Sequence, residues 1–168
     1  MNSRILLILG AVSAALMGTV VPAGMARAQS GKDLVGTWTI VSNVTDQAGK
    51  KGEPYGPTPK GTLVFDANGR YIIAVMRSGL PKFASNNRTT GTAEENGAIV
   101  QGSNFHFGTY SVDEAGKTIN FRIENSSFPN WDGAEQKRPF TLVGDELKYT
   151  IATATGGGTA QVVWKRAK

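Results

Sequence analysis

The chain has 168 residues, 21 of them glycine, with no cysteine, a single histidine and a formal net charge of +5. The lack of cysteine excludes disulfide bridges, Cys-ligated zinc, iron–sulfur clusters and a cysteine nucleophile. One histidine also argues against a histidine-rich metal site. The length suits one domain with at most an appendage, and the glycine content with short apolar runs is typical of strands joined by tight turns.

Residues 1–28 have the pattern of a secretory signal peptide. A basic start ending in Arg4 precedes an uncharged run over residues 5–21, and Ala-Arg-Ala at 26–28 matches a cleavage site. A membrane-spanning helix needs about 20 apolar residues, and this run is interrupted by glycine, serine and threonine, so the pattern favours cleavage over anchoring. We expect export to the periplasm or the exterior, a mature domain of residues 29–168, and no membrane span after cleavage.

The positive charges of the mature chain are scattered rather than clustered. Short pairs such as Lys50-Lys51 and Lys137-Arg138 lie far apart in the sequence. Proteins that bind nucleic acid need clustered cations along the phosphate backbone. The distribution therefore argues against a nucleic-acid partner.

Eight segments rich in Val, Ile, Thr and aromatic residues predict β-strands. In chain order they are Leu34–Val44, Gly61–Phe65, Arg70–Met76, Asn104–Val112, Thr118–Glu124, Arg138–Val143, Leu147–Ala152 and Ala160–Arg166. Three connections carry hairpin signals, at Asp66–Gly69, Asp113–Lys117 and Gly144–Glu146. Sequential hairpins without βαβ alternation predict an all-β, eight-stranded up-and-down antiparallel β-barrel, with a β-sandwich as the alternative.

The long connection over residues 78–103 contains a capping-box pattern, with Thr92 as the N-cap and Glu95 three residues later. This pattern predicts a short helix from Ala93 to Val100, weakened by Gly97. Two interpretations remain open for the connection: a surface loop, or a helix-bearing insert over one end of the barrel.

Turn geometry predicts which side chains face inward, because it fixes the pairing and side chains alternate along a strand. The predicted turn pairs are Asp66 with Arg70, Asp113 with Lys117, and Val143 with Glu146. The resulting inner face gives seven candidate ligand-binding residues: Tyr71, Phe107, Thr109, Phe121, Arg138, Phe140 and Tyr149. His106 is predicted on the solvent-facing side. A mostly apolar face with a few polar groups is typical of a ligand cavity.

Three further features bear on this interior. On the first strand, Trp38, Ile40 and Ser42 are predicted to share the inner face. A buried Arg138 needs a partner, which could be a backbone carbonyl or carboxylate of the protein or the anionic head of a ligand. The loop residues Pro129, Asn130 and Trp131 could either plug the barrel or line its mouth.

No catalytic residue, metal ligand or cofactor site is predicted. His106 is the only imidazole, it is expected on the outer face, and no Gly-x-Ser-x-Gly elbow is present. The adjacent carboxylates lie in turns or at a helix start, where they are usually solvated. The glycine run at 156–158 lacks the Lys-Ser/Thr of a phosphate loop.

A set of motifs extends over most of the mature chain. In order they are Gly36-x-Trp38, Tyr55-Gly56-Pro57-x-Pro59-Lys60-Gly61, Phe107-Gly108-x-Tyr110, Pro129-Asn130-Trp131-x-Gly133, Arg138, Gly144-Asp145-x-Leu147 and Trp164-x-Arg166. This series resembles the lipocalin-like domain family of bacterial and fungal proteins, over about residues 33–166. The resemblance implies structural roles for Trp38, Trp164 and Arg166 at the closed end of the barrel.

The resemblance implies a fold more firmly than a function, and it favours a real cavity in the barrel. We expect a small apolar or amphipathic molecule to bind in the barrel interior. Two alternatives remain: a cofactor-free isomerase or cyclase that acts on a hydrophobic substrate, and an interaction module with a filled core. A titratable residue on the inner face would favour the enzyme, and the predicted inner face offers only Arg138, Tyr71 and Tyr149.

Overall fold

The structure is a computed structural model that describes residues 30–168, so the predicted signal peptide lies outside the described residues. The helices and strands are α1 (Gly31–Leu34), β1 (Gly36–Gln47), β2 (Lys50–Gly52), β3 (Lys60–Phe65), β4 (Arg70–Met76), α2 (Ala93–Gly102), β5 (Ser103–Asp113), β6 (Thr118–Ser126), a 3-10 helix (Pro129–Trp131), β7 (Glu135–Val143), β8 (Glu146–Ile151) and β9 (Thr159–Arg166). Nearly all of these elements are strands.

The strands form one closed antiparallel barrel. Strands β1 and β3 to β9 follow one another around it, and pairing of β1 with β9 closes the circle. This confirms the predicted eight-stranded up-and-down barrel and excludes the β-sandwich. The short strand β2, which the sequence did not predict, folds back on the end of β1 as a hairpin. The predicted helix is confirmed and extends to Gly102, with both hydrogen bonds of the Thr92–Glu95 capping box present.

The two ends of the barrel differ. At one end, α1 precedes β1 and its Leu34 is fully buried. The hairpin turns after β3, β5 and β7 lie at this same end, which we call the closed end. The opposite end, which we call the open end, contains the β1–β2 hairpin, the 3-10 helix and the loop between β8 and β9. The segment that contains α2 also leaves and rejoins the barrel there, since Met76 pairs with Ser103.

The first and third predicted hairpins have the expected register. Phe65 pairs with Tyr71, and Val143 pairs with Glu146. In the first turn, the Asp66 carboxylate accepts hydrogen bonds from the backbone N–H groups of Asn68 at 2.8 Å and Arg70 at 2.7 Å. Such an Asp turn closed by a left-handed glycine is a stable local structure, which is why the sequence identified it.

The middle hairpin differs from the prediction by one residue. Asp113 pairs with Thr118 rather than with Lys117, because Lys117 lies in the turn with a φ of 46°. Val112 therefore lies opposite Ile119. The β5 residues that face inward include His106 and Tyr110, whereas Phe107 and Thr109 were predicted to do so. The shift changes which side chains of β5 face inward, whereas the predicted side chains of β6 do face inward.

A β-bulge changes the first strand as well. The pairing with β9 shifts between Ile40 and Ser42. After the bulge Asn43 lies opposite the buried Val162, so Asn43 replaces Ser42 on the inner face. An extra residue of this kind reverses the side-chain alternation beyond it.

The core fills the barrel from its closed end upward with apolar and aromatic side chains. Its buried members are Leu34, Trp38, Ile40, Leu63, Phe65, Tyr71, Ile73, Val75, Ile119, Phe121, Phe140, Leu147, Tyr149, Val162 and Trp164. Within the described residues, the buried polar or charged side chains are His106 and Arg138. The core thus leaves space toward the open end. No helix among residues 30–168 is long and apolar enough to cross a membrane.

Candidate functional site

A cavity of about 320 Å³ lies at the open end of the barrel. Its wall is formed by the end of β1, the strand β2, the loop around Tyr55, the start of β5, Trp131, the start of β7, and the loop between β8 and β9. The lining side chains that offer a ligand aromatic, aliphatic or amide groups include Asn43, Tyr55, Asn104, Trp131, Gln136 and Ile151. The volume falls within the range of small-molecule sites.

The lining of the cavity is mixed in polarity and free of acids. Aromatic and aliphatic surface comes from Tyr55, Trp131 and Ile151, while Asn43 and Gln136 contribute amides. The side-chain oxygen of Asn43 is buried without a hydrogen-bond partner. No Asp or Glu is found among the described residues that line the cavity, whereas Lys50 and Lys51 belong to its wall.

A hydrogen-bonded group of polar side chains lies below this cavity, in the barrel interior. Arg138, only 2% exposed, donates from Nη1 to the Tyr149 hydroxyl at 2.9 Å and from Nη2 to the Gln136 side-chain oxygen at 2.6 Å. Its Nη2 also lies 3.5 Å from His106 Nε2, and His106 Nδ1 lies 2.9 Å from the Tyr71 hydroxyl. The guanidinium therefore contacts neutral groups only.

Aromatic rings surround the same guanidinium. Its central carbon lies 4.5 Å from the ring centre of Phe121 and 4.9 Å from that of Tyr149. Ring faces attract cations and spread part of the charge. The Arg138 Nε atom is buried and has no hydrogen-bond partner. The cation is thus held in place by neutral contacts that leave one of its donors unused.

The proton equilibria of the interior follow from burial and from this cation. Burial, and then the charge of Arg138, lower the pKa of His106 from 6.5 to about 3. Burial also raises the pKa of Tyr71, although Arg138 acts in the opposite sense. Burial likewise raises the pKa of Tyr55 in the cavity wall. At neutral pH the imidazole and both phenols are therefore uncharged, and Arg138 is the one buried charge in the described chain.

Five of the seven predicted ligand-binding residues lie in the interior. Tyr71, Phe121, Arg138, Phe140 and Tyr149 are buried there, below the cavity rather than in its wall. Gln136 connects the two regions, because it lines the cavity and accepts a hydrogen bond from Arg138.

The other two predicted residues are on the wrong face, and so is His106. Phe107 is 41% exposed and Thr109 pairs with the outward Arg122, so both lie on the outer wall of the barrel. His106, predicted to face solvent, is 2% exposed and forms part of the interior group. The one-residue shift in the middle hairpin causes all three errors.

The 129–131 loop forms part of the mouth of the cavity. Pro129, Asn130 and Trp131 form the 3-10 helix, and the first two are exposed. The partly exposed Trp131 lines the cavity. Its ring lies edge-on to two others, with ring centres 5.9 Å apart for His106 and 5.5 Å apart for Phe128. Of the two interpretations of this loop, the structure favours the mouth.

Other residues of the site were missed by the sequence interpretation. Gln136 was missed because the strand was predicted to begin at Arg138, although alternation extended by two residues would have included it. Asn43 was missed because nothing in the sequence indicated the bulge. Among residues 30–168, no group of three or more His, Cys, Asp or Glu side chains could hold a metal ion.

The closed end matches its prediction. Trp38 and Trp164 are fully buried, and the Arg166 guanidinium lies 4.1 Å from the ring centre of Trp38. Arg166 also donates to the backbone oxygens of Val35 at 3.0 Å and Asp33 at 2.6 Å. These contacts join the last strand to the segment before the first one.

Comparison with known proteins identifies the family of this chain. A curated relative from Aspergillus oryzae, named 4'-hydroxy-3'-methoxypropiophenone carrier protein, is 31% identical over an alignment of 82 residues that covers 45% of this chain and 74% of the relative. A crystal structure of a mutant of the fluorescent protein UnaG aligns with a TM-score of 0.37 and 14% identity, over 81% of this chain and 97% of that one. The model of the lipocalin-like domain family matches residues 35–167. The chain therefore belongs to the lipocalin-like domain family.

Proposed function

We propose that this protein is an exported binding protein that holds one small, mostly apolar molecule at the open end of its barrel. The cavity of about 320 Å³ carries the proposal, because its size suits a single ring-bearing or short-chain ligand. Aromatic and aliphatic side chains in its wall supply apolar contact, and burial of a ligand there is favourable at about 25 cal/mol per Å² of apolar surface. The amides of Asn43 and Gln136 supply hydrogen bonds.

The named relative supports a carrier function. It is called a carrier of a methoxylated hydroxyphenyl ketone, a small aromatic molecule with oxygen substituents. A molecule of this class matches a cavity whose wall contains the rings of Tyr55 and Trp131 together with amide groups. We infer that the ligand of this protein belongs to the same broad class of small amphipathic molecules.

Binding is favoured over catalysis by the state of the interior groups. Proton transfer by an isomerase or cyclase without a cofactor is most efficient when the pKa of the catalytic side chain lies near the operating pH. His106 is the only imidazole of the chain, and its pKa of about 3 makes it a weak base. The raised pKa of Tyr71 likewise makes that hydroxyl a weak acid. An interaction module with a filled core is disfavoured by the cavity itself.

The proposal is tested by ligand capture and by titration. Native mass spectrometry of protein purified from its own host should show a bound small molecule. Titration with the neutral probe N-phenylnaphthylamine should show saturable fluorescence, displaced by 4'-hydroxy-3'-methoxypropiophenone, the molecule in the relative's name. Absence of both a carried-over mass and saturable probe binding would overturn the proposal.

A matched pair of substitutions locates the binding site. Ile151→Trp places a large ring in the cavity wall and should abolish probe binding. Val143→Trp adds the same ring at an exposed position in the hairpin at the closed end, and it should leave binding unchanged. Equal effects of the two substitutions would place the probe outside the cavity.

Export is the second part of the proposal and rests on residues 1–28, which the structure does not describe. The basic start, the uncharged run and the Ala-Arg-Ala site support it. The mature protein recovered from the periplasm or the medium should begin at Gln29 on N-terminal sequencing. Recovery of full-length chain from the cytoplasm alone would contradict it.

A further inference from the structure

The interior of the barrel contains a buried cation without an acidic partner. Arg138 is 2% exposed, and its hydrogen-bond partners are the uncharged side chains of Tyr149 and Gln136. The carboxylates that form ion pairs within residues 30–168 are bound to other cations on the outer surface. A buried charge is costly unless an opposite charge and full hydrogen bonding compensate for it. The free protein thus keeps a cation that an anion would stabilise.

The hydrogen bonds of this guanidinium are also incomplete. Its Nε atom has no partner, and its Nη2 atom lies 3.5 Å from His106 Nε2, which is long for a hydrogen bond. The shortest contact is the 2.6 Å hydrogen bond from Nη2 to the Gln136 side-chain oxygen. That amide oxygen occupies the position where a more basic oxygen would bind the same donor more strongly.

Gln136 lies between the cation and the cavity. It precedes Arg138 by two residues on β7, so both side chains point to the same side of the strand, with Gln136 nearer the open end. Gln136 lines the cavity, while Arg138 lies directly behind it. Rotation of one partly buried amide side chain therefore opens a direct path from the cavity to the guanidinium.

The charge around this path favours an anion. The described lining residues include no Asp or Glu, and the wall contains Lys50 and Lys51. An incoming anion therefore meets two lysines in the wall and an uncompensated cation below it. A neutral ligand gains from neither feature.

We propose that the ligand of this protein carries one anionic oxygen group, such as a carboxylate, sulfonate or phenolate, which displaces the Gln136 side chain and binds Arg138. The apolar part of the ligand then fills the cavity between Tyr55, Trp131 and Ile151. This inference rests on the proposed binding function and specifies the chemistry of its ligand. It assigns Arg138 to ligand binding and Gln136 to occupation of the same site in the free protein.

The test compares two probes of similar shape. Anilinonaphthalene sulfonate carries the anionic group, and N-phenylnaphthylamine has the same ring system without it. The anionic probe should bind about 10- to 100-fold more tightly than the neutral one, as hydrogen bonds to charged groups allow. Arg138→Met should remove this difference in affinity. The neutral probe should bind this variant within about twofold of its affinity for the natural protein. Lys137→Met is the matched control, because it removes the same charge from the outer face one residue away.

A second variant tests the proposal if Arg138→Met does not fold. Gln136→Leu removes the side chain that competes for the guanidinium, so the anionic probe should bind several-fold more tightly than it binds the natural protein. Gln161→Leu, at an exposed position of β9, is its control. Weaker or unchanged binding of the anionic probe to Gln136→Leu would contradict the inference.

The single histidine gives an independent readout. An anion on Arg138 offsets the charge that helps to lower the pKa of His106. The anionic probe should therefore shift the His106 ring resonances and raise this pKa, and the neutral probe should not. Equal binding of both probes, or an anion preference that survives Arg138→Met, overturns the head-group inference and leaves the proposed function intact. Failure of both probes to bind overturns the head-group inference, and the absence of a carried-over mass in addition overturns the proposed function.

Discussion

The Arg166 guanidinium lies 4.1 Å from the ring centre of Trp38, which links the last strand of the barrel to the first. The indole N–H of Trp38 donates to the Leu34 backbone oxygen at 2.9 Å. Arg166 donates to two further backbone oxygens in the segment that contains α1. The closed end is therefore held by one tryptophan and one arginine that join chain segments far apart in sequence.

Trp38→Ala should lower the free energy of unfolding by about 3–5 kcal/mol, because it leaves a large cavity in a fully buried site. Urea unfolding measures the change. Trp131→Ala is the control, since Trp131 is partly exposed and its loss should cost less than half as much. A loss below about 1 kcal/mol for Trp38→Ala would show that this ring is not part of the core.

The barrel and its closed end could be predicted because their signals are local. The Asp66–Gly69 turn satisfies its own backbone through the Asp66 carboxylate, so its register needs no information from elsewhere. The residues Trp38 and Arg166 follow the family motif at each end of the chain. Alternation from these fixed points then identified Tyr71, Arg138 and Tyr149 as interior residues.

The site was predicted less well because its geometry depends on irregularities. In the middle turn the left-handed residue is Lys117 rather than Gly116, which adds one residue to the turn and brings His106 inward. The bulges after Ile40 and at Phe107/Gly108 bend their strands locally, as bulges in barrels commonly do. Packing around the whole barrel determines these features, and no short motif encodes them.

The extra residue of the bulge at Phe107/Gly108 lies on β6, and the β6 backbone there closely approaches Gly108 of β5. A Cβ at Gly108 would collide with the backbone oxygen of Arg122 and would lie 2.9 Å from the backbone nitrogen of Glu124. Gly108→Ala should therefore destabilise the protein by about 1–3 kcal/mol, because backbone cannot move aside as a flexible side chain can. Thermal unfolding measures the effect.

Gly97→Ala is the matched control for this substitution. Gly97 lies inside α2 with no atom within 4 Å of the added Cβ, so the change should stabilise by about 0.5–1 kcal/mol. Two variants with the same chemical change should thus shift stability in opposite directions. A neutral or stabilising Gly108→Ala would show that the bulge adapts without cost.

His106 should remain neutral over the whole physiological range. Its pKa in the folded protein is about 3, below the ordinary 6.5, so the unfolded chain binds a proton that the folded protein does not. This difference in pKa stabilises the folded protein. The stabilisation is complete above about pH 6.5 and is lost as the pH falls toward 3, at up to about 1.4 kcal/mol per pH unit. The ring resonances of this single histidine should not titrate between pH 8 and about pH 5.

A variant separates this effect from the titration of carboxylates. His106→Gln removes the imidazole, and its stability should fall less steeply than that of the natural protein between pH 6.5 and pH 4. Urea unfolding at several pH values gives both slopes. A histidine that titrates near pH 6.5 in the folded protein would place His106 in contact with solvent.

Trp131 should report on occupancy of the cavity. Of the three tryptophans, Trp38 and Trp164 are fully buried, while Trp131 is partly exposed and lines the cavity. A ligand that displaces water from this ring should shift its fluorescence to shorter wavelength.

Decanoate is a suitable probe because it combines an apolar chain with a carboxylate and has no chromophore. The shift should be absent in Trp131→Phe, while calorimetry should show decanoate binding to this variant within about threefold of the natural affinity, because phenylalanine keeps an aromatic wall. A shift that persists in Trp131→Phe would place the ligand deeper, beside Trp164 and Tyr149, and would contradict a site at the open end.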